Sequence, residues 1–145
     1  MAVKAQPDIE KAEDMARRAH RGQNYGGKPY ITHVEAVVNA AKKLDAVRDV
    51  IIVAWLHDVI EDSASTNLDE IAKEFSPVVA NAVEAITKRE DESYKEYLIR
   101  AAQNPIAAKV KLCDIEANLA ASRRLVAKYE DALIKFRANV ANKGR

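Results

Sequence analysis

Cysteine is nearly absent from this sequence, and its scarcity limits where the protein is expected to work. Cys113 is the only cysteine among 145 residues, so an internal disulfide is excluded and a reducing compartment is favoured. The stretch from Met1 to Asp14 is largely polar and lacks the apolar core of a signal peptide. No apolar run approaches the ~20 residues that a membrane-spanning helix needs. We therefore expect a soluble, cytoplasmic protein with no membrane partner.

Large aromatic residues and helix-breaking residues are also few. The chain has one Trp, two Phe, four Gly and four Pro, although hydrophobic residues make up 48% of it. The core must therefore be built from Ala, Val, Ile and Leu, a composition that suits close-packed helices. The net charge is only +1, with both signs mixed along the chain, which argues against nucleic-acid binding. A helical DNA-binding module, the alternative from another structural class, is disfavoured for the same reason.

Apolar residues recur at helical spacing through most of the sequence, and no segment shows the period of two expected for strands. The glycine-rich stretch 21–30 predicts a loop, and Asn104-Pro105 is one of several cap signals that predict helix starts. The third helix is expected to run unbroken from 47 to 60, and the last two helices to span 105–121 and 125–140. The sequence thus predicts an all-α bundle of about eight helices, in a single domain covering 1–145 with its motif-bearing core at about 15–122.

The apolar segment 50–56 ends in side chains that bind metals or transfer protons, namely His57, Asp58, Glu61 and Asp62. Desolvated without partners, such a group would cost several kcal/mol. These side chains are therefore expected either to line a wet cleft or to hold a cation.

Two residues from other predicted helices, His33 and Asp114, would complete a metal site with His57 and Asp58. Two His and two Asp offer mixed nitrogen and oxygen ligands, which suit Mn²⁺, Fe²⁺, Mg²⁺ or Zn²⁺. A cation with an open position activates water near neutral pH. Taken singly, His33 is better explained as a half-buried histidine at a helix start, and a buried acid bonded to a neighbouring helix cap is the alternative for Asp114. The set as a whole favours the metal site.

Glu61 and Asp62 lie one helical turn beyond His57 and Asp58, so they would flank a bound ion. From there they are placed to take a proton from water and to protonate a leaving oxygen. Their alternative interpretation is a charged helix end, although acids at a helix C-terminus oppose the helix dipole.

Four segments, met in order along the chain, carry a resemblance to a known family. They read AHRGQ at 19–23, PYITH at 29–33, LHDVIED at 56–62, and VKLCD at 110–114 followed by Asn118. The sequence resembles the HD superfamily of metal-dependent phosphohydrolases. More closely, it resembles the hydrolase domain of the alarmone synthetase/hydrolases and the small alarmone hydrolases, over roughly 15–119.

The resemblance implies an HD-type all-α fold and a catalyst that removes pyrophosphate from the 3′ position of guanosine tetra- or pentaphosphate, (p)ppGpp. It implies a small nucleotide as partner and a single Mn²⁺, with another divalent metal as an option. The residues it implies are the metal ligands His33, His57, Asp58 and Asp114, the catalytic pair Glu61 and Asp62 acting on the metal-bound water, and Asn118 near the ribose and phosphates.

The loop 23–28 departs from the alarmone hydrolase pattern, because it reads QNYGGK where that family has an Arg-Lys pair. Tyr25 is predicted to stack on the base, and Lys28 or Arg21 to meet phosphate. Tyr94, Tyr97 and Arg100, at helical spacing, predict a further wall of the substrate pocket; packing with a solvated Arg is their other interpretation. The functional alternatives are an HD nucleotidase or phosphodiesterase for another nucleotide, and a non-catalytic nucleotide-binding regulatory domain. The sequence leaves the oligomeric state open.

Overall fold

The computed structural model describes residues 6–44, 47–62 and 66–143, which form eight helices and one small hairpin. The helices are α1 (Gln6–Ala19), α2 (Ile31–Leu44), α3 (Arg48–Leu56), α4 (Val59–Asp62), α5 (Leu68–Glu74), α6 (Pro77–Ile86), α7 (Tyr94–Ala102) and α8 (Pro105–Lys143). The predicted all-α bundle is confirmed. Within these described ranges, no helix combines the length and the apolar character that crossing a bilayer requires.

Helix α3 is the centre of the core. Every residue from Val50 to Leu56 is buried, as expected for a helix that is apolar on all sides. Helices α1, α2, α6 and α8 pack around it. The end of α3 is therefore fixed by the packing of most of the protein.

The predicted continuous helix from 47 to 60 is wrong, because α3 ends at Leu56 and α4 begins at Val59. Nδ1 of His57 lies 2.7 Å from the carbonyl oxygen of Ala54. In an unbroken helix that carbonyl would accept the backbone N–H of Asp58. The His57 side chain competes for this acceptor, and His57 and Asp58 form a turn between the two helices.

The predicted break between 121 and 125 is also wrong, because α8 is one helix of 39 residues, about 58 Å long. Asn104 caps its start by accepting the backbone N–H groups of Ile106 and Ala107. The intervening residues Ser122, Arg123 and Arg124 are polar, but neither Gly nor Pro occurs between 106 and 143. Polarity alone does not end a helix.

The glycine-rich stretch forms a small hairpin in place of the predicted irregular loop. Its strands are β1 (Asn24–Tyr25) and β2 (Lys28–Pro29), with Tyr25 opposite Lys28. Gly26 and Gly27 connect them with φ values of +57° and +80°. A two-residue hairpin turn of type I′ needs positive φ at both central positions, which glycine adopts without strain.

The segment between α6 and α7 is held by Arg100. Its guanidinium donates to the Glu92 carboxylate at 2.6 and 3.1 Å and to the carbonyl oxygens of Thr87 and Glu84 at 2.7 and 3.0 Å. Glu61 adds a link by accepting the backbone N–H of Lys88 at 2.9 Å. These contacts fix where α7 begins relative to α4.

We predict that the Glu92–Arg100 pair stabilises the fold in a pH-dependent manner. Hydrogen bonds from Arg100 and from the backbone of Arg89 lower the pKa of Glu92 from 4.5 to about 2. Because the folded-state pKa is lowered, the stabilisation is present above pH 4.5 and is lost as the pH falls toward 2. Glu92→Gln should therefore lower the urea midpoint near neutral pH, and its difference from the wild type should shrink in acid.

Glu90→Gln is the matched control, since Glu90 is exposed in the same segment, and its midpoint should follow the wild type. A Glu92→Gln deficit that stays constant across this pH range would contradict the assignment.

Candidate metal centre

Four candidate ligands from three parts of the fold converge on one pocket. His33 is on α2, His57 and Asp58 form the turn between α3 and α4, and Asp114 is on α8. The ligand atoms of His33, His57 and Asp58 all lie within 4.8 Å of one another. Oδ1 of Asp114 lies 2.8 Å from Nε2 of His33 and 3.5 Å from Nε2 of His57. The structure thus brings together the four residues that the sequence predicts as metal ligands.

The pocket is largely closed to solvent. His57, His33 and Asp114 are 1%, 5% and 7% exposed, and Asp58 is half-buried. Buried ionisable groups require a partner of opposite charge or a metal. Because little water reaches these groups, the electrostatic interactions among them are stronger than at an exposed surface.

The hydrogen bonding of His57 leaves one nitrogen available as a ligand. Because the carbonyl oxygen of Ala54 can only accept, Nδ1 of His57 carries the proton of that bond. Nε2 is buried and makes no hydrogen bond of acceptable geometry, although Oδ2 of Asp58 lies 3.0 Å away. An imidazole nitrogen that faces two carboxylates in this way fits a divalent cation between them.

The charges around the pocket stabilise a positive charge at its centre. Burial opposes protonation of His57, but Asp58 and Asp114 outweigh it and raise its pKa to about 10. Burial likewise opposes ionisation of Asp58, but His57 and the Tyr30 hydroxyl lower its pKa to about 2. The pKa of Asp114 is also lowered, against the effect of burial, by His33, His57 and Lys111. Both carboxylates are therefore ionised and able to bind a cation.

Two residues for which the sequence predicts no role hold the acidic ligands in place. The Tyr30 hydroxyl donates a hydrogen bond to Oδ2 of Asp58. Nζ of Lys111 lies 2.9 Å from Oδ2 of Asp114, which leaves Oδ1 facing the two histidines. The signal that could indicate these roles is the position of Tyr30 and Lys111 inside the motifs at 29–33 and 110–114.

Tyr25 and Asn118 lie together at the edge of the pocket. The Tyr25 hydroxyl donates to Oδ1 of Asn118, and Nδ2 of Asn118 lies 3.4 Å from Oδ1 of Asp114. The rings of Tyr25 and His33 are 5.0 Å apart between centroids. Lys28 is exposed and directly opposite Tyr25 in the hairpin. Tyr25 and Asn118 thus adjoin the candidate metal ligands, and Lys28 lies next to Tyr25 in the hairpin.

The other three predicted substrate residues surround Lys111 or hold the segment before α7. Nζ of Lys111 lies 5.0 Å from the centroid of Tyr97 and 5.8 Å from that of Tyr94. Tyr97 is buried and its hydroxyl donates to the carbonyl of Ile86. Arg100 is bound by Glu92. These contacts favour the packing interpretation for Tyr97 and Arg100, whereas Tyr94 is exposed.

The two predicted catalytic acids, Glu61 and Asp62, both lie in α4. Glu61 is exposed, and its Oε1 accepts the backbone N–H of Lys88. Asp62 is the last residue of α4, but its side chain lies outside the described part of the structure. The catalytic roles of both residues stay predictions.

Comparison with known proteins gives relatives that are much longer than this chain. It is 32% identical over 116 residues to the guanosine-3′,5′-bis(diphosphate) 3′-pyrophosphohydrolase of Aquifex aeolicus, covering 74% of this chain and 16% of that protein. It is 31% identical over 127 residues to a GTP pyrophosphokinase of Streptomyces coelicolor, covering 81% of this chain and 15% of that protein. The chain thus spans about one sixth of the length of these curated relatives.

A solved structure resembles the fold over most of both chains. It is a metazoan orthologue of SpoT, described as hydrolysing ppGpp and playing a role in starvation responses. The TM-score is 0.67 at 26% identity, over 78% of this chain and 68% of that one. A family model described as the HD domain matches residues 12–136. As its motifs predict, this chain belongs to the HD-domain family.

Proposed function

We propose that this chain is a metal-dependent phosphohydrolase that releases pyrophosphate from guanosine-3′,5′-bis(diphosphate), with Mn²⁺ as its cofactor. The observation that carries the proposal is the buried pocket in which Nε2 of His57 faces the carboxylates of Asp58 and Asp114. A relative and a solved structure that are named for hydrolysis of this nucleotide support the substrate.

The ligand set fits a divalent cation that accepts both nitrogen and oxygen ligands. His33 and His57 offer imidazole nitrogen, and Asp58 and Asp114 offer carboxylate oxygen, a combination that suits Mn²⁺. A divalent cation bound there would lower the pKa of water and polarise a phosphoryl oxygen.

The remaining chemistry requires two proton transfers. Hydrolysis adds water across the bond between the 3′ oxygen and phosphorus, so oxygen is added to phosphorus and a proton goes to the departing 3′ oxygen. One group must take a proton from water and another must deliver one to the leaving oxygen. We assign these tasks to Glu61 and Asp62 jointly, with the order between them left open.

Residues at the edge of the pocket would bind the nucleotide. Tyr25 presents an aromatic ring next to His33, suitable for stacking on a base. Lys28, opposite Tyr25, is placed to pair with a phosphate. Asn118, between Tyr25 and Asp114, is placed to bond ribose or phosphate. Tyr94 would form an outer wall, with Tyr97 and Arg100 behind it as support.

Product analysis of guanosine tetraphosphate incubated with the protein and Mn²⁺ tests the proposed function. We expect GDP and pyrophosphate in equal amounts from the wild type and neither from Asp58→Asn. Turnover of other nucleotides alone would favour a different HD nucleotidase or phosphodiesterase. Metal binding without turnover of any nucleotide would favour a regulatory domain.

We predict one Mn²⁺ per chain, bound through the four converging residues. Asp58→Asn keeps the shape of the side chain but removes its charge, so Mn²⁺ affinity should fall by about 100-fold or more, since even partners of ligands contribute 10–100-fold. Calorimetric titration measures this directly. Asp69→Asn, an exposed acid on α5, is the matched control; equal losses in the two variants would contradict a specific site.

Replacement of Glu61 by Gln separates catalysis from loop anchoring. Gln retains an oxygen that accepts the Lys88 N–H but cannot take or deliver a proton. We expect kcat to fall by about 100-fold or more, with Mn²⁺ affinity and the unfolding midpoint unchanged. If Glu61→Gln turns over at the wild-type rate while Glu61→Ala loses stability, then Glu61 only anchors the segment.

Tyr30→Phe tests whether the hydroxyl orients Asp58. The ring remains, so packing is kept, but Asp58 loses its hydrogen bond. Mn²⁺ affinity should fall by about 10–100-fold, as for other partners of metal ligands. Tyr129→Phe removes an exposed hydroxyl on α8 and should bind Mn²⁺ normally. Normal Mn²⁺ binding by Tyr30→Phe would show that the hydroxyl has no orienting role.

A further inference from the structure

The C-terminal half of α8 extends beyond the body of the protein. The first half of α8 packs against α2, α3, α6 and α7, but every described side chain from Ser122 to Ala141 is exposed. Seven of these exposed residues are large and apolar: Leu125, Val126, Tyr129, Leu133, Ile134, Phe136 and Val140. A helical segment of this length is marginally stable in water, because helices in proteins gain most of their stability by packing an apolar face.

The exposed apolar residues follow a heptad repeat. Leu119, Val126, Leu133 and Val140 are each separated by seven residues, and Tyr129 and Phe136 follow the second and third of them by three. These are the a and d positions of a coiled coil, and Ser122 takes the remaining d position. We call these seven residues the seam. Its six apolar members are 47% to 66% exposed.

The positions that flank the seam allow two copies of it to pair without repulsion. The e positions are Arg123, Glu130 and Arg137, and the g positions are Leu125, Ala132 and Asn139. In a parallel coiled coil each e residue faces a g residue of the other helix. Each charged side chain would therefore meet an uncharged one.

The exposed area matches what a stable pair of chains requires. On usual side-chain areas, the apolar residues of the seam expose roughly 600 Å² per chain, so two copies would bury roughly 1,200 Å², the lower bound of standard specific interfaces. A helix that lies on a membrane carries mainly Lys and Arg on its polar face, whereas the polar residues here include Glu130 and Asp131. The occupant that this pattern fits is an identical seam.

We propose that two copies of this chain form a homodimer through a coiled coil of their seams. The assembly goes beyond the proposed hydrolase activity and does not depend on it. The metal ligands lie in the body of the protein, and only Asp114 shares α8 with the seam. The dimer therefore leaves the metal pocket intact.

Light scattering coupled to size exclusion, at about 50 µM full-length protein, tests the dimer. We expect twice the 16.1 kDa chain mass for the wild type and a monomer for Leu133→Glu/Phe136→Glu, which places charges at the centre of the seam. The matched control is Ile134→Glu, which replaces an equally exposed apolar residue outside the seam and should remain dimeric. Circular dichroism should show lost helicity in the double variant only.

The results of these measurements distinguish pairing of the seam with a second copy of the chain from binding of the seam to another partner. A monomeric wild type would overturn the proposal, as would Ile134→Glu dissociating as completely as the double variant. Flotation of a monomeric wild type with phosphatidylserine vesicles would assign the seam to a lipid surface instead. Mn²⁺ titration of the double variant should give the wild-type affinity. This result would show that the body of the double variant is folded, and it does not depend on whether the protein hydrolyses a nucleotide.

Discussion

The hydrogen bond from Nδ1 of His57 to the carbonyl of Ala54 is the interaction on which the candidate site depends. On a continuous helix, adjacent side chains diverge by about 100°, so His57 and Asp58 would not face one pocket. At the end of α3 the His57 ring bonds this carbonyl, and His57 and Asp58 lie in a turn from which both side chains reach His33 and Asp114. The same bond fixes the proton on Nδ1 and leaves Nε2 to face the carboxylates.

The neighbouring helices hold this turn in a fixed position relative to His33 and Asp114. Helix α3 is buried along most of its length, while α2 and α8 pack against it and carry His33 and Asp114. Tyr30 and Lys111 each occupy a carboxylate oxygen. The candidate ligands are therefore held by the packed core and by their hydrogen bonds, the arrangement that a preorganised metal site requires.

The sequence predicts the fold class and the metal set because both depend on short patterns: apolar periodicity, and His and Asp residues in ordered motifs. Hydrophobic periodicity does not predict that α3 ends at Leu56, because the bond between the His57 ring and one carbonyl leaves no trace in that pattern. The break placed between 121 and 125 was wrong because polar residues continue a helix unless Gly or Pro intervenes. Tyr97 and Arg100 are used in packing because they bond Ile86 and Glu92. The spacing of residues along one helix does not predict such partners from other parts of the chain.

The central claim is that His33, His57, Asp58 and Asp114 bind one divalent cation, and anomalous diffraction at the manganese edge from crystals grown with Mn²⁺ tests it most directly. The account predicts a single strong peak in the pocket, within bonding distance of both Nε2 atoms and of an oxygen from each aspartate. A pocket without a peak, or a peak whose ligands come from elsewhere on the chain, would contradict it.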